Sequence, residues 1–237
     1  MRVLVLPVYN EEIAIKDLIL EFLSSHTELT VIAVNDCSND STAKILETIS
    51  DIRLIIVHNE KNLGHGLSVI KGLFYALNIG AKVVITADGD GNYFVQDVLK
   101  LISTLENNNL QVVEGVRVAR SDPWFRRISS FVTRLLVRIR SKHPTKDANT
   151  PFHAFRSETL SEILRLIPES GKIIPNIYIS SLIRSKSIAF GSINITENYR
   201  KGSNPLGVTW NQKNRNIPSK RYIIFCFRAL YDWFVKK

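Results

Sequence analysis

The residues best suited to chemistry stand together at Asp88-Gly89-Asp90-Gly91-Asn92. Two carboxylates one residue apart, an amide two places on and glycines between them offer hard oxygen ligands on a bendable backbone. Such a set suits Mg2+ or Mn2+ holding a substrate phosphate, with Asp88, Asp90 and Asn92 as ligands. An acidic turn that merely ends a strand reads the same way in isolation, so the weight falls on its surroundings. Residues 81–87 form a continuous apolar run, the pattern of a strand buried on both faces. They place the acids just past the C-terminal end of a central strand, where open α/β sheets bind ligands.

A second chemistry is suggested by charge. The chain carries 31 Lys and Arg against 22 Asp and Glu, a formal net charge of +9, which favours anionic partners. Basic residues crowd residues 118–146, where Asp122 is the only acid. Arg126, Ser130, Arg134 and Arg138 recur there at four-residue intervals and so share one helical face. A solvated face is the ordinary reading of such a helix, but the scarcity of acids suits one that receives an anion.

Positioning these groups requires a sheet. Strands are expected at residues 3–8, 29–35, 54–57, 83–87 and 111–116, alternating with helical patterns at 13–23, 42–49, 67–77 and 98–105. The alternation predicts an α/β fold with a mostly parallel central sheet flanked by helices on both faces. Pro123 opens a further helix, whose apolar positions are Phe125, Ile128, Phe131, Val132, Leu135, Leu136 and Ile139. Residues 147–152 read as a turn-rich linker and 152–155 as a short strand. Helices follow at 157–166 and 175–183, a strand at 187–195, and a polar loop at 199–216.

At 237 residues and 45% hydrophobic content, the chain can build one good core. Two cysteines, Cys37 and Cys226, form no disulfide framework, which points to a reducing compartment. The N-terminus enters a strand at once, so no secretory signal is read there. No apolar run reaches the roughly 18 residues of a membrane span. Residues 220–237 are apolar, aromatic and flanked by bases. That suits an amphipathic helix lying on a membrane, and equally one packed on the domain or on a partner subunit. Charge alone suggests nucleic acid; no recognised module supports it, so no nucleic-acid partner is expected.

Several stretches line up around the acidic turn. Pro7-Val8-Tyr9-Asn10-Glu11-Glu12 follows the first strand, and Val34-Asn35-Asp36-Cys37-Ser38-Asn39-Asp40-Ser41-Thr42 follows the second. Asn59-Glu60-Lys61-Asn62-Leu63-Gly64-His65-Gly66 precedes the third helix. In this order and spacing they resemble the family 2 glycosyltransferases of the GT-A fold. Within that family the pattern is nearest to the polyprenol-phosphate sugar transferases, such as dolichol-phosphate mannose synthase. The resemblance implies a metal-dependent, inverting enzyme that moves a sugar from a UDP- or GDP-sugar to a polyprenol phosphate. It would work peripherally on the cytoplasmic face of a membrane, on the surface itself or with a membrane-protein partner.

The same resemblance assigns roles. Pro7, Tyr9, Glu11, Val34 and Asp36 match positions that hold the base and ribose, and Gly64 and Gly66 match a close backbone approach. His65 could contact the diphosphate, although a His beside two glycines reads equally as a loop residue. Asp88 and Asp90 match the family's Asp-x-Asp, and Asn92 stands where Gln is common. Arg117, Arg126, Ser130, the stretch from Asp147 to Arg156, and Arg200 match the acceptor side. Residues 1–117 would be the nucleotide-sugar half, 118–219 a partly helical acceptor half, and 220–237 the appended helix. Asn35 stands where a first Asp is frequent, His153-Ala154 replaces a common Gly, and Tyr93 and Val95 replace His and Pro. A phosphate acceptor is already anionic and needs only Arg117, Arg126 and Ser130 to place it. A sugar-hydroxyl acceptor would instead need a base, with Asp147 the best placed. A non-catalytic sugar-nucleotide-binding accessory protein is the third reading, and the intact Asp88, Asp90 and Arg117 count against it.

Overall fold

The computed structural model describes residues 1–90, 95–118, 122–141, 143–169, 173–196 and 217–235. Strand β1 (Arg2–Val8) leads through α1 (Ile15–Ser25), β2 (Leu29–Asn35), α2 (Thr42–Glu47) and β3 (Leu54–His58). Helix α3 (His65–Asn78), β4 (Val83–Thr86), α4 (Val95–Asn107) and β5 (Val112–Val118) follow. The remainder is α5 (Trp124–Arg140), β6 (His153–Arg156), α6 (Ser157–Leu166), α7 (Pro175–Ser185), β7 (Phe190–Thr196) and α8 (Lys220–Val235).

One seven-stranded sheet takes all the strands among the described residues, in the order β3-β2-β1-β4-β6-β5-β7. The pairings β1–β2, β2–β3, β1–β4 and β5–β7 are parallel, whereas β6 is antiparallel to both β4 and β5. Two reversals restore direction, so β5 runs with β4. The C-terminal ends of β1, β2, β4 and β5 therefore share one edge, and the chain entering β6 arrives at that edge too. The order turns back between β1 and β4, the switch point at which an open α/β sheet leaves a crevice.

Alternation along β1 sends Leu4, Leu6 and Val8 into the core under α1, α2 and α4. Val3 and Val5 enter the core shared with α3, α6 and α7. Burial on both faces is why these strands read as unbroken apolar runs.

The structure corrects one expectation and refines two others. Residues 147–152 are no linker: Asp147, Ala148, Thr150 and Phe152 are buried. The Thr150 hydroxyl donates to the Gly115 carbonyl at 2.5 Å and the Thr86 hydroxyl to the Pro151 carbonyl at 2.6 Å. The apolar set of α5 is not one face. Phe125, Leu136 and Val137 are buried, while Trp124, Ile128, Phe131, Leu135 and Ile139 are exposed. Helix α8 does pack on the domain. Trp233 is buried 4.8 Å from the Tyr178 ring and 4.2 Å from the Arg140 guanidinium, and Tyr222 meets Phe125 at 5.1 Å. Its other side leaves Ile224, Phe227, Tyr231 and Phe234 exposed. Among the described residues no helix is long and apolar enough to cross a membrane, and both cysteines are free thiols.

His153 lies wholly buried in the middle of the sheet, in register with Thr86 and Glu114. Burial pushes its pKa down to about 3. The Arg184 guanidinium adds to that and the Asp147 carboxylate opposes it. Burial also raises the neighbouring Glu114 carboxyl, against the pull of its ion pair with Arg184. Between pH 6.5 and about 3 the unfolded chain binds a proton on His153 that the folded chain refuses. Stability is therefore lost as pH falls through that window. His153→Gln will flatten the loss by up to about 1.4 kcal/mol per pH unit. Urea unfolding of both proteins near pH 4 and near pH 7 measures it, and an unchanged slope would assign the acid sensitivity to other groups.

Candidate active site

The acidic turn sits where β4 ends against β1. A Cβ on Gly89 would stand 2.7 Å from the Pro7 carbonyl oxygen and 3.0 Å from Val8. Only glycine lets the turn close on β1, and this contact fixes Asp88 and Asp90 beside the switch point. The Asp88 Oδ1 atom is buried and has no hydrogen-bond partner. A carboxylate oxygen held so costs about 1–3 kcal/mol or more unless a cation meets it. That fits a divalent metal. Among the described residues no three His, Cys, Asp or Glu side chains gather as a ligand set. Water and substrate oxygens would complete the shell, as is usual for Mg2+ and its like. Asn92 lies outside the described residues.

The loops after β1 and β2 are tied to each other. Asn10, in the left-handed region at φ 55°, receives a hydrogen bond from the Asn39 amide at 2.8 Å, and its own N–H donates to the Ser38 hydroxyl at 3.0 Å. The Glu11 N–H donates to Thr42 at 2.8 Å, and the Asn39 amide group lies 3.4 Å from the Tyr9 hydroxyl. Pro7 and Glu11 are buried at this rim and Tyr9 is half-buried.

Asp36 and Val34, both expected to touch a nucleotide, also have contacts within the fold. Val34 is fully buried and packs on Gly72. Asp36 is 3% exposed, and its carboxylate accepts from the Asn59 side chain and from the Leu63 and Gly64 N–H groups, each at 2.8 Å. It holds the turn that starts α3. Gly64 at φ 89° is the residue before that helix, so the α3 N-terminus, with its unpaired N–H groups, is aimed by a buried carboxylate. Asn62 adds to this anchor by donating to the Asp36 carbonyl at 3.2 Å, a role for Asn59 and Asn62 that spacing alone does not assign.

At the end of β5, Arg117 makes a two-pronged pair with Asp147, Nε to Oδ2 at 2.7 Å and Nη2 to Oδ1 at 2.9 Å. Nη2 also donates to the Asn149 carbonyl at 3.0 Å. Beside this clamp opens a cavity of about 250 Å³, lined by the cations Arg117, Arg127, Arg134 and Lys146, the carboxylates Asp122 and Asp147, and Ser130 among others. Ser130 lines this cavity. Arg126 is not in the lining; it pairs with Asp122 at 3.2 Å, one turn back. The basic wall is supplied instead by Arg127 and Lys146, which sequence spacing did not single out, and by Arg134. The sequence signal was present: Arg127 lies three and seven residues before Ser130 and Arg134, which is one helical face. Arg200 lies outside the described residues.

A family model described as Glycosyl transferase family 2 matches residues 3–164. Among similar proteins is the UDP-N-acetylglucosamine–dolichyl-phosphate N-acetylglucosaminyltransferase of Methanococcus voltae. It is 28% identical over 223 residues, covering 80% of this chain and 88% of that protein. An uncharacterized protein of Methanocaldococcus jannaschii is 33% identical over 171 residues, 67% of this chain and 73% of the relative. The undecaprenyl-phosphate 4-deoxy-4-formamido-L-arabinose transferase of Proteus mirabilis is 28% identical over 168 residues; the match spans only 50% of its length. Among solved structures, glucosyl-3-phosphoglycerate synthase from Mycobacterium tuberculosis, in complex with Mn2+, UDP and phosphoglyceric acid, superposes with a TM-score of 0.66 at 17% identity. That match covers 100% of this chain and 80% of the synthase.

Proposed function

Because the chain belongs to glycosyl transferase family 2 and its sheet has the GT-A arrangement, we propose that this glycosyltransferase moves a sugar, with inversion, from a UDP- or GDP-sugar to a polyprenol phosphate. The observation that carries the reading is the basic cavity of Arg127, Ser130, Arg134 and Lys146, on the same sheet edge as Asp88. Two relatives named for dolichyl- and undecaprenyl-phosphate transfer support it.

In this reading residues 1–117 bind the donor, with Pro7, Tyr9 and Glu11 at the rim and the α3 N-terminus facing the diphosphate. Asp88 and Asp90, with Asn92 by resemblance, hold a Mg2+ or Mn2+ ion. When bound, the metal neutralises charge developing on the leaving nucleotide. Residues 118–219 bind the acceptor. Its phosphate oxygen is already anionic, so the arginines need only place and partly neutralise it. A hydroxyl acceptor would need Asp147 as base, yet both oxygens of that carboxylate already accept from Arg117. That geometry favours the phosphate acceptor. UDP- and GDP-sugars offered with a short polyprenyl phosphate and Mg2+ or Mn2+ should give product in the organic phase. Transfer to sugar hydroxyls alone, with no lipid product, would overturn the assignment.

The acceptor's lipid implies a peripheral place on the cytoplasmic face of a membrane. Helix α5 exposes Trp124, Ile128, Phe131, Leu135 and Ile139, and α8, which meets α5 through Phe125–Tyr222 and Arg140–Trp233, exposes apolar residues of its own, on a chain of net charge +9. Together they suit an anionic bilayer surface. Burying one Phe contributes about 1.5–3 kcal/mol. The double variant Phe131→Asp/Phe227→Asp will therefore lose at least about a hundred-fold in vesicle affinity. Flotation with phosphatidylserine vesicles at low and high salt reads it. Unchanged flotation, or a drop in oligomer size on the same substitutions, would assign these exposed residues to a subunit contact instead.

A further inference from the structure

His65 is the first residue of α3, and its place is fixed from beneath. The buried Asp36 carboxylate holds the Leu63 and Gly64 N–H groups at 2.8 Å and is itself held by Asn59. The imidazole is therefore presented by an anchored helix start, not by a loose loop, and its side chain is 51% exposed at the crevice. Its Nε2 stands 3.6 Å from Asp88 Oδ1. That is beyond the roughly 2.7–3.2 Å of an N–H···O hydrogen bond, and the Asp88 oxygen has no other partner. Two lone-pair atoms held apart in this way, one of them buried, span the gap that two ligands of one divalent ion leave when each bond is about 2.0–2.2 Å.

We propose that His65 Nε2 is a nitrogen ligand of the cation held by Asp88, which makes the centre a mixed nitrogen and oxygen site that prefers Mn2+ to Mg2+. The proposal rests on the metal-dependent reading above. Mg2+ takes oxygen ligands in a demanding octahedron, whereas imidazole suits transition ions and binds them with rising affinity from Mn2+ onward. Two or three protein atoms would leave the other positions to water and diphosphate oxygens. The lack of a three-residue ligand cluster among the described residues agrees with that. The ring needs a neutral tautomer, with its proton on Nδ1 and the Nε2 lone pair turned toward Asp88.

Pulsed EPR of the intact chain with Mn2+ and UDP or GDP tests this without turnover. Wild type should show 14N coupling from a directly bound imidazole, and His65→Gln should abolish it. Calorimetry should show Mn2+ affinity falling at least about ten-fold in His65→Gln, with Mg2+ affinity changing less. Mn2+ bound to wild type without nitrogen coupling, or an unchanged Mn2+ to Mg2+ ratio in His65→Gln, overturns the proposal. His65 would then serve the diphosphate directly. Absence of any Mn2+ or Mg2+ binding by wild type with nucleotide, equal to that of Asp88→Asn, would instead remove the metal-dependent reading itself. Thermal unfolding of each variant confirms that the fold is intact.

Discussion

Asp88→Asn will lower sugar transfer at least about a thousand-fold, and Asp90→Ala will do the same. A bound cation stabilises the developing charge on the leaving diphosphate by several kcal/mol, and each 1.4 kcal/mol is about a factor of ten in rate. The fold should not suffer. Asp88 Oδ1 is buried without a hydrogen-bond partner and faces the half-exposed His65 ring at 3.6 Å, so replacing the charge by an amide removes a desolvation cost and no hydrogen bond at that atom. Asp88→Asn should therefore melt at or slightly above the wild-type temperature while losing nucleotide affinity in the presence of Mn2+. This pairing of lost activity with undiminished stability separates a ligand from a structural acid. A thermal scan beside initial-rate kinetics decides it, and full activity of both variants in a chelator would remove the metal from the mechanism.

The second large effect lies on the acceptor side. Arg127→Ala and Arg134→Ala will each raise the acceptor KM or lower kcat by about ten- to a hundred-fold, because a charge-assisted hydrogen bond contributes about 1.5–3 kcal/mol. Donor KM should hardly move. Arg126→Ala should be mild, since Arg126 is engaged with Asp122 and does not line the cavity. Arg127→Lys should recover only part of the loss, because an ammonium keeps the charge and not the fork. Asp147→Asn sharpens the comparison. An amide still offers Arg117 one acceptor oxygen, so a clamp loses part of its hold and activity falls only partly. A general base replaced by an amide loses its function outright. Side-by-side kinetics of Arg126→Ala, Arg127→Ala and Asp147→Asn on one lipid phosphate settle the choice. Total loss in Asp147→Asn with mild arginine variants would return the enzyme to the hydroxyl-acceptor class.

Much of the architecture was legible because it is written in local periodicity. Buried strands such as residues 29–35 and 83–86 show as unbroken apolar runs, and α1, α4 and α6 as three- and four-residue spacing, since burial acts on every residue of those elements. The family pattern was legible for a related reason. Its turns after β1, β3 and β4 need Asn or glycine at fixed offsets, as Asn10 at φ 55°, Gly64 at φ 89° and Gly89 packed on Pro7 show. The sequence by itself thus determined the α/β class, the strand that carries Asp88 and Asp90, and the basic helix beyond it.

Only the tertiary structure decided which side chains point where. Helical spacing puts Arg126 and Arg134 on one nominal face, but a face has width. Packing of α5 against its neighbours turns Arg127 into the cavity and leaves Arg126 to Asp122. The same packing buries Phe125 and Leu136, half-buries Val132 and leaves the other four of the seven apolar positions of α5 exposed. The anchoring role of Asp36 emerges only when its three donors, 23 to 28 residues away, are brought to it. Asp147 reads as a base until Arg117, 30 residues earlier, closes on both its oxygens. Each pairing joins residues too far apart for any periodicity to relate. Asp36 meets its donors because the parallel strands β2 and β3 end side by side, and Arg117 meets Asp147 because the chain entering the antiparallel β6 returns to the edge where β5 ends.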